Sequence, residues 1–325
     1  MSKKILCSIS TRGRYETSLP MAIQSVISQS LVPDHLVIFD DNDEPIDLRE
    51  NQVYQYLFEM LNSKGISWQV IYGKKQGQHY NHQIANTMGY EWVWRVDDDT
   101  IPEPNVLETL YNHTSPTVGA VGGSILTPPF SPVVGSTGKI EDIYEQSIQW
   151  DYIREKKSVD HLHCSFLYRA GIHDYVLSLS RAAFREETLF TYGLKQRGYE
   201  IFVVPDAITW HLKNKNGGVR TEQYEMFQRD DYIFNNFMEF KDNTIVILDC
   251  GLGDHIVMKH VLPEIKNPIV FSCYPNVIPG RSIQEAYDRF GSIEQFNIYK
   301  KMDEWKWTKS LEEAFRKYYV EDRIK

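Results

Sequence analysis

The chain has 325 residues, 42% of them hydrophobic and 24% charged, with a formal net charge of −9. That length exceeds one small domain and suits a large α/β domain joined to a smaller one, while the ordinary composition excludes extensive disorder. The acidic balance excludes a protein that grips nucleic acid chiefly through phosphate contacts, because that binding is driven by counterion release from Lys and Arg.

Residues 5–10 (ILCSIS) form the first expected strand. Leu19, Ile23, Val26 and Ile27 recur at helical spacing and predict a helix over 18–29, with Pro20 tolerated in its first turn. Residues 36–39 read as the second strand, Val53, Tyr56, Leu57, Met60 and Leu61 as the next helix, 68–72 as the third strand, 79–88 as a helix and 92–96 as the fourth strand. This alternation predicts a mainly parallel sheet covered by helices on both faces. Residues 127–138 (TPPFSPVVGSTG) and 213–218 (KNKNGG) are expected loops, and between them 184–198 predicts a glycine-capped helix and 201–204 a strand.

A composition break at Lys241-Asp242-Asn243 divides a domain over 1–240 from a small α/β unit over 241–325. In that unit, strands at 244–249 and 269–272 alternate with helices ending near 265 and covering 283–290 and 308–319. Cys7, Cys164, Cys250 and Cys273 lack a CxxC pair and read as reduced thiols. No apolar run reaches the ~18 residues of a transmembrane helix. Met1-Ser2-Lys3-Lys4 lacks the apolar core of a signal peptide, so the expected location is the cytoplasm.

In open α/β sheets, ligands sit beyond the carboxyl ends of the strands where strand order reverses. Three groups fall at such ends: Ser10-Thr11 with Arg12 and Arg14, Asp40-Asp41, and Asp97-Asp98-Asp99. Three carboxylates closing a buried strand cost several kcal/mol unless a cation or hydrogen-bond donors neutralise them. Oxygen ligands of this kind suit Mg2+ or Mn2+ bridging to substrate phosphates. Arg12 and Arg14 suit phosphate contacts. Each remaining candidate also has a plain structural use: Asp40-Asp41 as a turn cap, Glu186-Glu187 as the acidic start of a helix, and His211 as a core histidine.

In order and spacing, these motifs resemble glycosyltransferase family 2, whose members have the GT-A fold, over about residues 3–215. Ser10-Thr11 stands where the family usually has Pro-Thr. Asp40-Asp41-Asn42, Gly77 with Asn81, the DxD of Asp97 and Asp99, and Pro104 with Leu107 follow in the family's order. Arg185-Glu186-Glu187-Thr188, Gly198-Tyr199-Glu200-Ile201 and Trp210-His211 complete the series.

The resemblance implies a metal-dependent inverting enzyme that moves a sugar from a nucleotide donor, expected to be a UDP-sugar, to an acceptor hydroxyl. Thr11, Arg14, Asp41, Gly77, Asn81, Asp97 and Asp98 would form the nucleotide-sugar site, with Asp41 at the base. Asp97, Asp99 and His211 would hold Mn2+ or Mg2+, and Asp98 is the least ligand-like of the triplet. The family has Glu-Asp where this chain has Glu186-Glu187, so the choice of catalytic base stays open between them, with Glu187 preferred. Glycan, lipid-linked or protein acceptors are the implied partners, a modified nucleobase being the remoter one.

Three alternatives use the same residues. Asp97-x-Asp99 also resembles the nucleophile motif of haloacid-dehalogenase-like phosphatases, but Ile101 stands where Thr or Val is wanted, and the motif follows the fourth strand instead of the first. A nucleotidyltransferase would open with a longer basic glycine loop than Thr11-Arg12-Gly13-Arg14. A non-catalytic sugar-nucleotide binding protein would be suspected with an apolar residue at the base position. In the small unit, Gly251-Leu252-Gly253-Asp254 resembles the opening of heptosyltransferase-type glycosyltransferases and equally suits a tight structural turn. Trp305, Trp307, Tyr318 and Tyr319 are candidates for packing or self-association.

Overall fold

The first strand, β1 (Ile5–Thr11), is buried along its length except at Ser10, and its side chains alternate between two cores. Ile5, Cys7 and Ile9 face one core and Leu6 the other, as the period of two in a strand requires. The structure is a computed structural model describing residues 5–128, 131–132, 139–147, 152–214, 216–218, 222–249 and 251–290. The chain divides into two compact units, Met1–Asp231 and Tyr232–Lys325.

In the first unit β1 is followed by α1 (Leu19–Ile27), β2 (His35–Asp40), α2 (Gln52–Ser63), β3 (Ser67–Tyr72), α3 (Gln78–Asn86), β4 (Trp92–Asp97), β5 (Thr100–Pro102) and α4 (Val106–Asn112). Then come β6 (Val118–Thr127), β7 (Ser131–Pro132), α5 (Ile140–Tyr144), β8 (Lys157–Ser158), β9 (Phe166–Arg169), α6 (Glu186–Gln196), β10 (Glu200–His211) and α7 (Tyr224–Phe240), which continues into the second unit. The large sheet has the order β3-β2-β1-β4-β9-β6-β10-β5, with β7 paired to β6 and β8 to β10.

β1 pairs in parallel with both β2 and β4, so strand order reverses at β1. Ser10 and Asp97 are register partners there, which sets the ends of β1 and β4 side by side. Helices α1, α2 and α4 supply Ile23, Leu57 and Leu107 to one core. Helices α3 and α6 supply Ala85, Phe190 and Leu194 to the other. Beyond β4 the sheet is mixed, because β9 runs antiparallel to both β4 and β6.

The strand β6, VGAVGGSILT, was not among the expected elements, since its glycines break any apolar alternation. The close approach of β10 and its neighbours explains them: a Cβ on Gly123 would lie 1.9 Å from the Ala207 carbonyl oxygen. Of the expected loop at 127–138, Ser131 and Pro132 pair with Thr127 and Leu126. Residues 129–130 and 133–138 lie outside the described residues, as do the expected helix at 308–319 and the aromatic tail.

In the second unit, β11 (Thr244–Leu248), β12 (Pro268–Ser272) and β13 (Arg281–Ser282) form a parallel three-stranded sheet. Two helices, α8 (Leu252–Val261) and α9 (Ile283–Phe290), accompany it. Its cores are Phe240, Ile245, Phe271 and Ala286, and Val246, Leu248, Met258, Val261 and Ile278. No helix among the described residues is long and apolar enough to cross a membrane.

Candidate functional site

The carboxyl ends of β1, β2 and β4 open onto a cavity of about 220 Å3. Thr11, Arg14, Asp41, Gly77, Asp97, Asp98, Asp99, Glu187 and His211 all line it. Asn81 and Glu186 stand just behind. Asn81 donates from Nδ2 to Oγ of Ser10 at 2.9 Å, and Glu186 accepts from Nε2 of Gln78 at 3.1 Å.

Asp41 is placed by its own N–H, which donates to the Thr11 carbonyl at 3.0 Å. Its carboxylate accepts from the backbone N–H groups of Lys75 (2.9 Å) and Gly77 (3.1 Å), so the β3–α3 loop is folded onto it. Burial raises its pKa while these two N–H groups oppose the shift. The loop needs two glycines to come so close. A Cβ on Gly73 would lie 2.5 Å from Asp41 Oδ1, and Gly77 has φ of +104°.

The aspartate triplet divides its tasks. Asp98 is buried and bonded to Arg14 Nη1 and to the Arg12 N–H (3.2 Å), which makes it the anchor of the β1–α1 loop. Burial pushes its carboxyl up to about 6, against the pull of Arg14. Arg14 also reaches Asp99 Oδ1 at 3.0 Å, and the backbone of 216–218 closes over this loop through the Gly218 N–H to the Arg12 carbonyl (2.8 Å).

Asp99 Oδ1 lies 3.4 Å from Nε2 of His211, which β10 delivers by pairing with Thr100 of β5. On the other side of that ring, Nδ1 is 3.7 Å from the Cys164 thiol. The Asp97 carboxylate turns instead toward Arg95, at 3.1 Å from Nη2. Burial raises Asp97 to about 6, opposed by Arg95. Among the described residues, no three His, Cys, Asp or Glu side chains form a ready cation cage. Asp99 and His211 converge, while Asp97 faces the same cavity from the side.

The opposite wall is the start of α6. Ala183 (φ 49°) and Arg185 (φ 68°) are held in the left-handed region, a strain that requires support from around them. Asp230 supplies it, accepting from the N–H of Ser180 (2.6 Å), the hydroxyl of Ser180 (2.9 Å) and the N–H of Phe184 (2.8 Å). This turn presents Glu187 to the cavity, with Oε2 2.9 Å from Arg95 Nη2 and Oε1 2.9 Å from His163 Nδ1. Burial raises Glu187, but Arg95 and His163 outweigh it and hold the carboxyl down at about 2. Glu186 is fully buried, and desolvation lifts it to about 8 although Arg95 Nη1 is 2.5 Å away. The neighbours therefore push the two glutamates apart, Glu187 to a carboxylate and Glu186 to a neutral acid near pH 7.

Arg95, His163, Cys164, Arg181 and Asp230 escaped sequence reasoning. Arg95 left one signal, a lone charge inside the apolar run Trp92-Val93-Trp94-Arg95-Val96, because a fully buried Arg implies buried anions. The other four sit in segments without periodicity or motif.

A curled, mainly parallel sheet flanked by helices, with an acidic cavity at its switch point, is the architecture of the GT-A glycosyltransferases. The profile for glycosyltransferase like family 2 matches residues 51–229, and the chain belongs to that family of glycosyltransferases. The galactofuranosyltransferase GlfT1 of Mycolicibacterium smegmatis is 30% identical over 113 residues, covering 33% of this chain and 34% of the mycobacterial protein. The match thus spans about a third of that relative's length.

Among solved structures, S. aureus TarS residues 1–349 with UDP-GlcNAc gives a TM-score of 0.51 at 13% identity, covering 96% of this chain and 81% of that one. GalNAc-T7 with UDP, GalNAc and Mn2+ gives 0.51 at 11%, covering 91% and 57%. At such identities these structures share the fold.

Proposed function

We propose that the protein is a metal-dependent inverting glycosyltransferase that takes a nucleotide-sugar donor, a UDP-sugar first among candidates, and glycosylates an acceptor hydroxyl. The observation that carries this reading is that Glu187 and Asp97 line one cavity and pair with the same guanidinium, at 2.9 and 3.1 Å. A carboxylate base and a donor-side acidic motif are thereby set on two walls of a single site.

Asp99 and His211 would hold Mn2+ or Mg2+, with Asp97 completing the set from the cavity wall. An oxygen and imidazole donor set suits such a cation. When bound, it supplies Lewis-acid charge that offsets the charge developing on the departing diphosphate. The chain's own groups do the rest. Asp41 with the Gly77 turn forms the floor for the nucleotide, and Thr11 and Arg14 border the phosphates. Glu187 accepts the proton of the acceptor hydroxyl as that oxygen attacks the anomeric carbon from the opposite face, which inverts the anomer.

Glu187 is favoured over Glu186 as base because it faces the cavity as an anion, whereas Glu186 is buried behind it and neutral. The acceptor is a glycan, lipid-linked or protein hydroxyl. In the second unit, residues 251–254 lie at the start of α8, where backbone N–H groups could approach a phosphate. The resemblance to heptosyltransferase-type openings is proposed for that unit alone.

Thermal-shift screening with UDP, GDP, CDP and dTDP sugars, with and without Mn2+, tests the reading, since a ligand of the native state raises its melting temperature. A Mn2+-dependent rise with one nucleotide class is expected. A chain that shifts with none of them is not this enzyme. With the donor in hand, Glu187→Gln should abolish transfer and leave donor binding intact.

A further inference from the structure

We infer that Arg95 is the positioning residue that keeps the donor-side aspartate and the acceptor-side base in register, an inference that rests on the reading of Glu187 as the base. Arg95 is fully buried near the end of β4. Its register partners are Ser8 of β1 and Phe166 of β9, whose ring centre lies 5.5 Å from the guanidinium, and Val93, two residues back on the same face, belongs to an apolar core. An aliphatic residue would complete this layer at lower desolvation cost, so packing alone does not call for an arginine.

The charge is matched from two elements, β4 and α6, that also share an apolar core. Nη2 is 3.1 Å from Asp97 Oδ1 at the end of β4 and 2.9 Å from Glu187 Oε2 in the first turn of α6. Nη1 is 2.5 Å from Glu186 Oε1, an oxygen that also accepts from Gln78 at the start of α3. One nitrogen thus spans the gap between two carboxylates on opposite walls of the cavity. A flat guanidinium with donors fixed in a fork can hold three carboxyl groups at set angles, and the single ammonium of a lysine cannot. Any shift of α6 is passed through this fork to Asp97. Arg95 is not among the residues lining the cavity and acts through the groups it holds.

Arg95→Lys keeps the charge and loses the fork. Its kcat, measured with the nucleotide sugar that the wild-type protein turns over, should fall by about 100-fold, the scale of a misplaced reacting group. Its affinity for UDP with Mn2+, measured by calorimetry, should stay at the wild-type value. Arg95→Ala should regain turnover when guanidinium chloride is added at millimolar levels, and not with potassium chloride at equal ionic strength.

Wild-type kcat in Arg95→Lys would overturn the assignment, as would equal losses of kcat and UDP affinity. Failure of both variants to fold would make Arg95 a folding residue and overturn it as well. A wild-type protein that binds no nucleotide overturns the glycosyl-transfer reading itself, an outcome recognised without either variant.

Discussion

Glu187 and His163 share a hydrogen bond of 2.9 Å between Oε1 and the ring Nδ1. With Glu187 held as an anion, Nδ1 carries the hydrogen and donates it, so the imidazole orients the carboxylate and lowers its proton affinity. His163→Ala removes that donor and leaves Arg95 and the Cys164 backbone N–H to hold Glu187. The expected result is a fall in kcat of roughly 10- to 100-fold, below the ~100- to 10,000-fold of a positioned acid–base group because Glu187 itself remains. The acidic limb of the kcat–pH profile should move upward, because Glu187 loses one of the partners that depress it. His163→Asn keeps an N–H donor near the Nδ1 position and should retain most of the activity. An asparagine variant as impaired as the alanine variant would mean that the imidazole has a further role in proton transfer.

The parallel half of the fold was legible because β1 to β4 and the intervening helices follow simple periodicities, and apolar burial enforces them. β6 and β9 were not. Glycines occupy β6 where β10 packs against it, and β9 is a four-residue antiparallel insertion that no local pattern announces. In the candidate site, the residues expected to carry ligand chemistry form short motifs that the family resemblance picks out. Those that hold them in place, such as Arg95 and Asp230, act from 95 to 187 and from 180 to 230 through contacts that exist only once the chain has folded. The acidic pair at 186–187 shows the limit most clearly. Sequence left the choice open with Glu187 preferred, and burial and the neighbours now set the two apart, Glu186 enclosed and Glu187 on the cavity.

Gly77 links backbone geometry to Asp41, the floor proposed for the nucleotide. Its φ of +104° lies in the region that favours glycine, and a Cβ there would meet the Arg181 carbonyl oxygen at 2.7 Å and the His79 ring at 3.0 Å. Gly77→Ala must therefore move the loop, and with it the N–H that bonds Asp41 Oδ2. A loss of roughly 1–3 kcal/mol in stability is expected from the backbone strain and the lost hydrogen bond. Affinity for UDP should weaken more than kcat falls at saturating donor, since the change is on the nucleotide side of the cavity. Unaltered UDP binding in a folded Gly77→Ala protein would remove Asp41 and this turn from the donor site.

Glu186 gives the fold a pH dependence whose sign is set by burial. Its carboxyl is raised from 4.5 to about 8, so the folded state favours the protonated form. The stability this contributes is fully present below pH 4.5 and is lost as pH rises through about 8. Asp97 and Asp98, raised from 3.8 to about 6, act with the same sign in an earlier window, so the interval from pH 6.5 to 8.5 isolates Glu186. Gln matches the neutral acid in shape and cannot ionise. Glu186→Gln should therefore be no more stable than the wild type at pH 5 and should gain on it as pH rises, by on the order of 2 kcal/mol between pH 6.5 and 8.5. Melting temperatures of both proteins across pH 5 to 8.5 measure the difference. A constant offset, or a variant that loses ground as pH rises, would show that Glu186 is ionised in the folded protein and that Arg95 is balanced by three anions instead of two.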